Sequence, residues 1–85
     1  MSKIPAAILA ATGTVGQRFA SLLEDHPWFE VTVVTASERS EGRRYADTVN
    51  WVVPGEIPPT VADLTVQPTN TDLGDVGIVF SAVVK

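Results

Sequence analysis

Ile4-Pro5-Ala6-Ala7-Ile8-Leu9-Ala10-Ala11-Thr12-Gly13-Thr14-Val15-Gly16-Gln17-Arg18-Phe19 is the stretch that decides the fold. Its first part, Ile4–Ala10, reads as a short apolar strand centred on Ile8 and Leu9. It runs directly into a glycine turn, Thr12-Gly13-Thr14-Val15-Gly16. A helical pattern follows, in which Val15, Phe19, Leu22 and Leu23 recur at i, i+4, i+7 and i+8 and so share one face. That face is the expected core side, with Gln17, Arg18, Ser21 and Glu24 filling the other positions. Pro27 disfavours helical geometry in the residue before it, so the helix is expected to stop near Asp25-His26.

Outward from this unit, Phe29–Ala36 reads as a second strand, because Val31, Thr32, Val33, Val34 and Thr35 are all β-branched. Ser37–Arg44 is a charged loop. Tyr45–Val53 fits either a short helix or an irregular segment. Pro54, Gly55, Pro58 and Pro59 predict a loop. Leu64–Gln67 reads as a short third strand ended by Pro68. Thr69–Asp75 is turn-like, with Asp72 and Asp75 as turn formers. Val76–Ala82 reads as a fourth strand, apolar enough to be buried on both faces. This order predicts an α/β fold: a Rossmann-like, doubly wound, mostly parallel sheet, of which only the first half is present.

Bulk properties bound the function. With 85 residues the chain holds one small core, and a second domain is not expected. A net charge of −4 argues against general affinity for nucleic acid or anionic membrane. No apolar run reaches the length of a membrane span, and Ile4–Ala11 is too short for a signal peptide; a cytoplasmic location is expected by default. The sequence contains no cysteine, which removes disulfides, thiolate metal sites and thiol catalysis from these residues. His26, the lone histidine, builds no metal site by itself; placed before a proline at a helix end, it is expected to meet terminal carbonyls. Trp28 and Trp51 read as packing residues, since no basic groove accompanies them.

The glycine turn carries the chemistry. A glycine there adopts backbone angles that other residues resist and lets the main chain approach a pyrophosphate. The helix that follows aims its unpaired N–H groups and the positive end of its dipole at the same anion. Gly16, on the first turn, lets the helix pack close to the sheet. At the end of the second strand, where such folds meet the adenine ribose, stands Ser37-Glu38-Arg39-Ser40. An acidic residue here favours a free 2′-hydroxyl and an arginine a 2′-phosphate. Arg39 offers a planar fork for phosphate, Ser37 and Ser40 offer hydroxyls, and Arg43 and Arg44 follow. Half of the six basic residues therefore lie between positions 39 and 44 of an otherwise acidic chain. The reading is a 2′-phosphate pocket, hence NADP over NAD; the competing reading is a solvated loop in which Glu38 and Glu41 pair with the arginines.

These residues also resemble a known family. Ala10–Phe19 is similar to the Gly-Ala-Thr-Gly-x-Val-Gly-Gln-x-Phe opening of aspartate-semialdehyde dehydrogenases. His26-Pro27-x-Phe29-Glu30 resembles the segment that ends the first helix there. Ala36-Ser37-Glu38-Arg39-Ser40-x-Gly42-Arg43-x-Tyr45 resembles the Ala-Ser-x-Arg-Ser-x-Gly-Lys-x-Tyr stretch of the archaeal and fungal-type branch, and Val79-Phe80-Ser81-Ala82 a strand ending in Phe-Ser-Ala. The resemblance implies an enzyme that uses NADPH to convert L-aspartyl-4-phosphate to aspartate-4-semialdehyde, on the way to lysine, methionine and threonine. It implies Thr12, Gly13, Thr14, Val15 and Gly16 at the pyrophosphate, Ser37, Arg39 and Ser40 at the 2′-phosphate, and Ser81 and Ala82 near the nicotinamide half. The catalytic cysteine and histidine of the family lie beyond the matched part, so no catalytic residue is assigned in this chain. Residues 1–85 are expected to be a truncated NADP-binding domain whose substrate domain is absent and whose full-length parent is a homo-oligomer. A malonyl-CoA reductase of the same superfamily, a non-catalytic NADP-binding module and a non-functional remnant stay open as alternatives. One departure is chemical: Ala10 stands where the family has its first glycine, and its methyl could crowd the turn.

Overall fold

The structure is a computed structural model, and it describes residues 3–24, 26–36, 41–68, 73–74 and 76–82. The elements run β1 (Ile4–Leu9), α1 (Thr14–Leu23), β2 (Phe29–Ala36), α2 (Tyr45–Thr48), α3 (Pro59–Ala62), β3 (Val66–Pro68) and β4 (Ile78–Ser81). The strands form one sheet in the order β3-β2-β1-β4, with every neighbouring pair parallel. The expected α/β, Rossmann-like plan is the observed one. The β-branched run makes β2 the longest strand. Its pairing with β1 slips between Ala6 and Ala7, opposite Val31 and Val33, so Thr32 is the extra residue of a bulge.

The chain proceeds outward from β1 to β2 and β3, then returns to the other side of β1 to place β4. The reversal makes the carboxyl end of β1 a topological switch point, where ligands of open α/β sheets bind. Small residues make the centre dense: Ala6, Ala7 and Ile8 are fully buried. Around them Ala20, Leu23, Val31, Val34, Tyr45, Val61 and Val66 close the core. A chain of rings joins α1, β2 and β4, with Phe19–Phe80 centroids 5.4 Å apart and Phe29–Phe80 6.0 Å apart.

Several expectations are corrected. The buried side of α1 carries Gly16, Gln17, Ala20 and Leu23, whereas Val15 is 45% and Leu22 74% exposed. Hydrophobicity alone puts the bulkiest residues inside. Close approach of a helix to the strand end instead selects the line of smallest side chains, and Gly16 and Ala20 supply it. β4 is not buried on both faces: it lies at the sheet edge, and its residues alternate between half-buried and exposed. The proline-rich segment holds a single helical turn, α3, started by Pro59 at its first position, where a missing N–H costs nothing. β3 starts two residues later than expected and includes Pro68. His26 does not cap carbonyls with its ring; its Nδ1 accepts the Trp28 N–H at 3.1 Å. Trp28 is largely exposed, while Trp51 packs on the core.

Candidate functional site

β1 gives way to the glycine turn through one unusual residue. Ala10 has φ of 60°, in the left-handed region that costs an L-residue roughly 1–2 kcal/mol. The strain is held by the surroundings: the Ala10 N–H donates to Thr35 Oγ1 at 3.3 Å, the Ala11 N–H to the Thr35 carbonyl at 2.8 Å, and the Gly13 N–H to the Ala10 carbonyl at 3.2 Å. The methyl's difficulty is thus conformational. Ala10→Gly is expected to stabilise the fold by about 0.5–1 kcal/mol, since relief of strain exceeds the added freedom of the unfolded chain. Urea titration of the two proteins checks this.

The start of α1 is left open to an anion. Its N-cap is Gly13, which has no side chain to cap with, and there is no acidic residue in the first turn. Most helices begin with a Ser, Thr, Asp or Asn whose oxygen occupies the free N–H groups. Here the first helical ladder bond is Gln17 N–H to the Gly13 carbonyl, 2.9 Å; the N–H groups of Thr14, Val15 and Gly16 precede it and have no carbonyl one turn back within the helix. The turn also lets α1 sit close. A Cβ built on Gly16 would lie 2.4 Å from the Ala10 carbonyl oxygen and 2.6 Å from Ala11 Cα.

Two carbonyls of the turn are tied back by side chains that sequence reading left unassigned. Tyr45, fully buried, donates its hydroxyl to the Ala11 carbonyl at 2.6 Å. Tyr45 is placed by the segment 42–45, which runs beside β3: Gly42 N–H reaches the Val66 carbonyl, Val66 N–H the Arg43 carbonyl and Tyr45 N–H the Leu64 carbonyl, each at 2.8 Å. Gln17, expected on the polar face, is 2% exposed. Its amide nitrogen donates to the Thr12 carbonyl at 2.9 Å and the Asn50 carbonyl at 3.0 Å, and its oxygen accepts the Val52 N–H at 2.8 Å. A pairing of Gln17 with Tyr45 shows no periodicity in the chain, so only the motif's own Gln, read as more than a surface residue, could have signalled half of it.

Of the sequence-predicted site residues, the structure brings Thr12, Gly13, Thr14, Val15 and Gly16 together with Ser81 and Ala82. Ser81 pairs with Leu9 in the β1–β4 ladder, and the Ala82 N–H donates to the Leu9 carbonyl at 3.0 Å. Both ends meet at the switch point. Ser37, Arg39 and Ser40 lie outside the described residues; they follow directly on Ala36, the last residue of β2. Arg44 pairs with Asp63 at 3.0 Å across an exposed surface, an ion pair worth little to stability, while Arg43 is exposed. Among the described residues no group of three or more His, Cys, Asp or Glu could hold a metal, and no helix is long and apolar enough to cross a membrane.

This geometry has close counterparts. Residues 5–85 match the family model described as semialdehyde dehydrogenase, NAD binding domain. The chain belongs to that family. It is 43% identical over 76 residues to the aspartate-semialdehyde dehydrogenase of Archaeoglobus fulgidus, with 89% of this chain aligned to 22% of that protein. Against the aspartate-semialdehyde dehydrogenase of Saccharomyces cerevisiae the identity is 43% over 79 residues, 92% of this chain and 22% of the relative. The crystal structure of aspartate semialdehyde dehydrogenase with NADP from Candida albicans superposes with a TM-score of 0.88 at 39% identity, covering 98% of this chain and 24% of that one. The chain is a nicotinamide dinucleotide-binding domain, and it spans less than a quarter of the length of these relatives.

Proposed function

We propose that this domain binds NADP as the N-terminal part of an aspartate-semialdehyde dehydrogenase, whose full-length form reduces L-aspartyl-4-phosphate to aspartate-4-semialdehyde. The observation that carries the reading is the start of α1: a helix with a bare glycine cap, no acid in its first turn, and neighbouring carbonyls held by Tyr45 and Gln17. An anion approaching it meets N–H groups and no carboxylate of the helix's first turn, which fits a pyrophosphate. Thr12, Gly13, Thr14, Val15 and Gly16 hold the pyrophosphate, Ser37, Arg39 and Ser40 the ribose 2′-phosphate, and Ser81 and Ala82 border the nicotinamide half. Held there in its reduced form, the dinucleotide would supply the hydride for the reduction. The 85 residues contain no cysteine, so the thiolate of an acyl-enzyme mechanism is not among them; on this reading it belongs, with the substrate-binding residues, to a separate substrate domain of a cytoplasmic homo-oligomeric parent.

The test is binding. NADP, followed by calorimetry, is expected to bind at least roughly tenfold tighter than NAD, a difference of about 1.4 kcal/mol. Arg39→Ala should erase that preference by weakening NADP alone, because the guanidinium meets only the 2′-phosphate. Equal affinities for the two cofactors in the unaltered chain would remove the 2′-phosphate pocket from the proposal.

A further inference from the structure

The glycine turn owes its shape to two side chains outside the residues proposed to touch the dinucleotide. In a trans peptide the C=O and the N–H of one plane point in opposite directions. Pinning a carbonyl therefore fixes the N–H of the next residue. The Tyr45 hydroxyl holds the Ala11 carbonyl, which sets the direction of the Thr12 N–H. The Gln17 amide holds the Thr12 carbonyl on the side of the plane opposite the Gly13 N–H, which donates to the Ala10 carbonyl at 3.2 Å. Every polar atom of Gln17 is used: both amide hydrogens go to carbonyls and the oxygen takes the Val52 N–H. Two carbonyl acceptors and one N–H donor also fix which end of the amide is nitrogen.

We infer that Gln17 and Tyr45 are positioning residues that set pyrophosphate affinity by orienting the peptide planes of Ala11–Gly13, and that Gln17 makes the 50–52 segment part of the same device. The inference rests on the cofactor reading above for its ligand. Without the two ties, the Ala11 carbonyl is free to turn towards the anion and the Thr12 carbonyl is restrained only through the Gly13 N–H bond to the Ala10 carbonyl; a carbonyl oxygen repels what an N–H attracts. The effect is expected at the pyrophosphate end, because the carbonyls that the two side chains hold belong to the glycine turn.

The experiment titrates NADP and adenosine 2′-phosphate, which lacks the pyrophosphate, against the full chain and its Tyr45→Phe and Gln17→Met variants. Amide hydrogen exchange of Thr12 and Gly13 is measured without ligand. NADP is expected to bind roughly tenfold more weakly to each variant, with adenosine 2′-phosphate unchanged and the two turn amides exchanging faster. Unchanged NADP affinity in the folded variants overturns the inference, and so does a parallel loss for both ligands, which marks a merely structural role. Should Gln17→Met not fold, Tyr45→Phe decides, since it removes one oxygen. If the unaltered chain binds no NADP, the cofactor reading fails. The exchange rates then still decide the positioning claim, and equal rates in all proteins overturn it.

Discussion

Gly16→Ala is expected to destabilise the domain by about 3 kcal/mol, a large part of the roughly 5–10 kcal/mol that holds a chain of this size folded. The added methyl has nowhere to go. Its carbon would stand 2.4 Å from the Ala10 carbonyl oxygen, 2.6 Å from Ala11 Cα and 2.9 Å from the Ala11 carbonyl carbon. All three are backbone atoms, so no side chain can rotate aside. Moving them means lifting α1 from the end of β1, and Ala10 and Ala11 are themselves anchored to Thr35. Alanine's better helix propensity returns about 1 kcal/mol, which is less than the overpacking costs. Gly13→Ala gives the contrast. There a Cβ meets only the Ala10 carbonyl oxygen at 3.6 Å, an ordinary contact, and φ is −77°, which any residue adopts. Gly13→Ala should therefore melt within a few degrees of the unaltered protein while weakening NADP, because its methyl intrudes where the main chain meets the pyrophosphate. Thermal melts and cofactor titrations of the two variants should separate packing from binding; similar melting points for both would refute the assignment of Gly16 to helix packing.

The same contrast explains what the sequence makes legible. The glycine turn is local: Gly13 and Gly16 sit between an apolar strand and an amphipathic helix within sixteen residues, and the roles they are expected to play depend only on backbone and neighbours in the chain. The place of β2 is legible for a similar reason, since the β-branched run Val31–Thr35 is bounded by Pro27 before it and by the charged loop after Ala36. What fails is whatever depends on rotation or on distant partners. A hydrophobic stripe fixes the face of α1 to within about one residue, and one residue is enough to move Val15 and Leu22 out and Gln17 in. Two of the three partners of Gln17 lie 33 and 35 residues away, and that of Tyr45 lies 34 away, so nothing near either residue announces these contacts. The exposure of alternate residues in β4 is not legible either, because an apolar composition does not reveal which elements cover the two faces of a strand.

Tyr45→Ala is expected to cost about 3–5 kcal/mol, the range for removing a buried aromatic ring. Among the described residues Tyr45 is the largest fully buried side chain, and it packs with Ile8, Val61 and Val66 in one core. Tyr45→Phe separates the ring from the hydroxyl. It should cost about 1–3 kcal/mol, because the Ala11 carbonyl it leaves behind is buried with the rest of Ala11 and loses its partner. The two variants should thus differ by the cavity alone, and chemical denaturation at neutral pH reads both. Alkaline pH supplies an independent check. Burial holds the Tyr45 hydroxyl well above its ordinary value of 10.0, because the folded core disfavours the phenolate. Above pH 10 the unfolded chain loses this proton while the folded one keeps it. The unfolded state then binds fewer protons, so stability falls as pH rises. The contribution is fully present below pH 10 and is lost between there and the raised folded value. Tyr45→Phe has no such proton, so its deficit relative to the unaltered domain should shrink steadily above pH 10. A deficit that stays constant from pH 8 to pH 11.5 would mean that the hydroxyl is not held neutral against the Ala11 carbonyl.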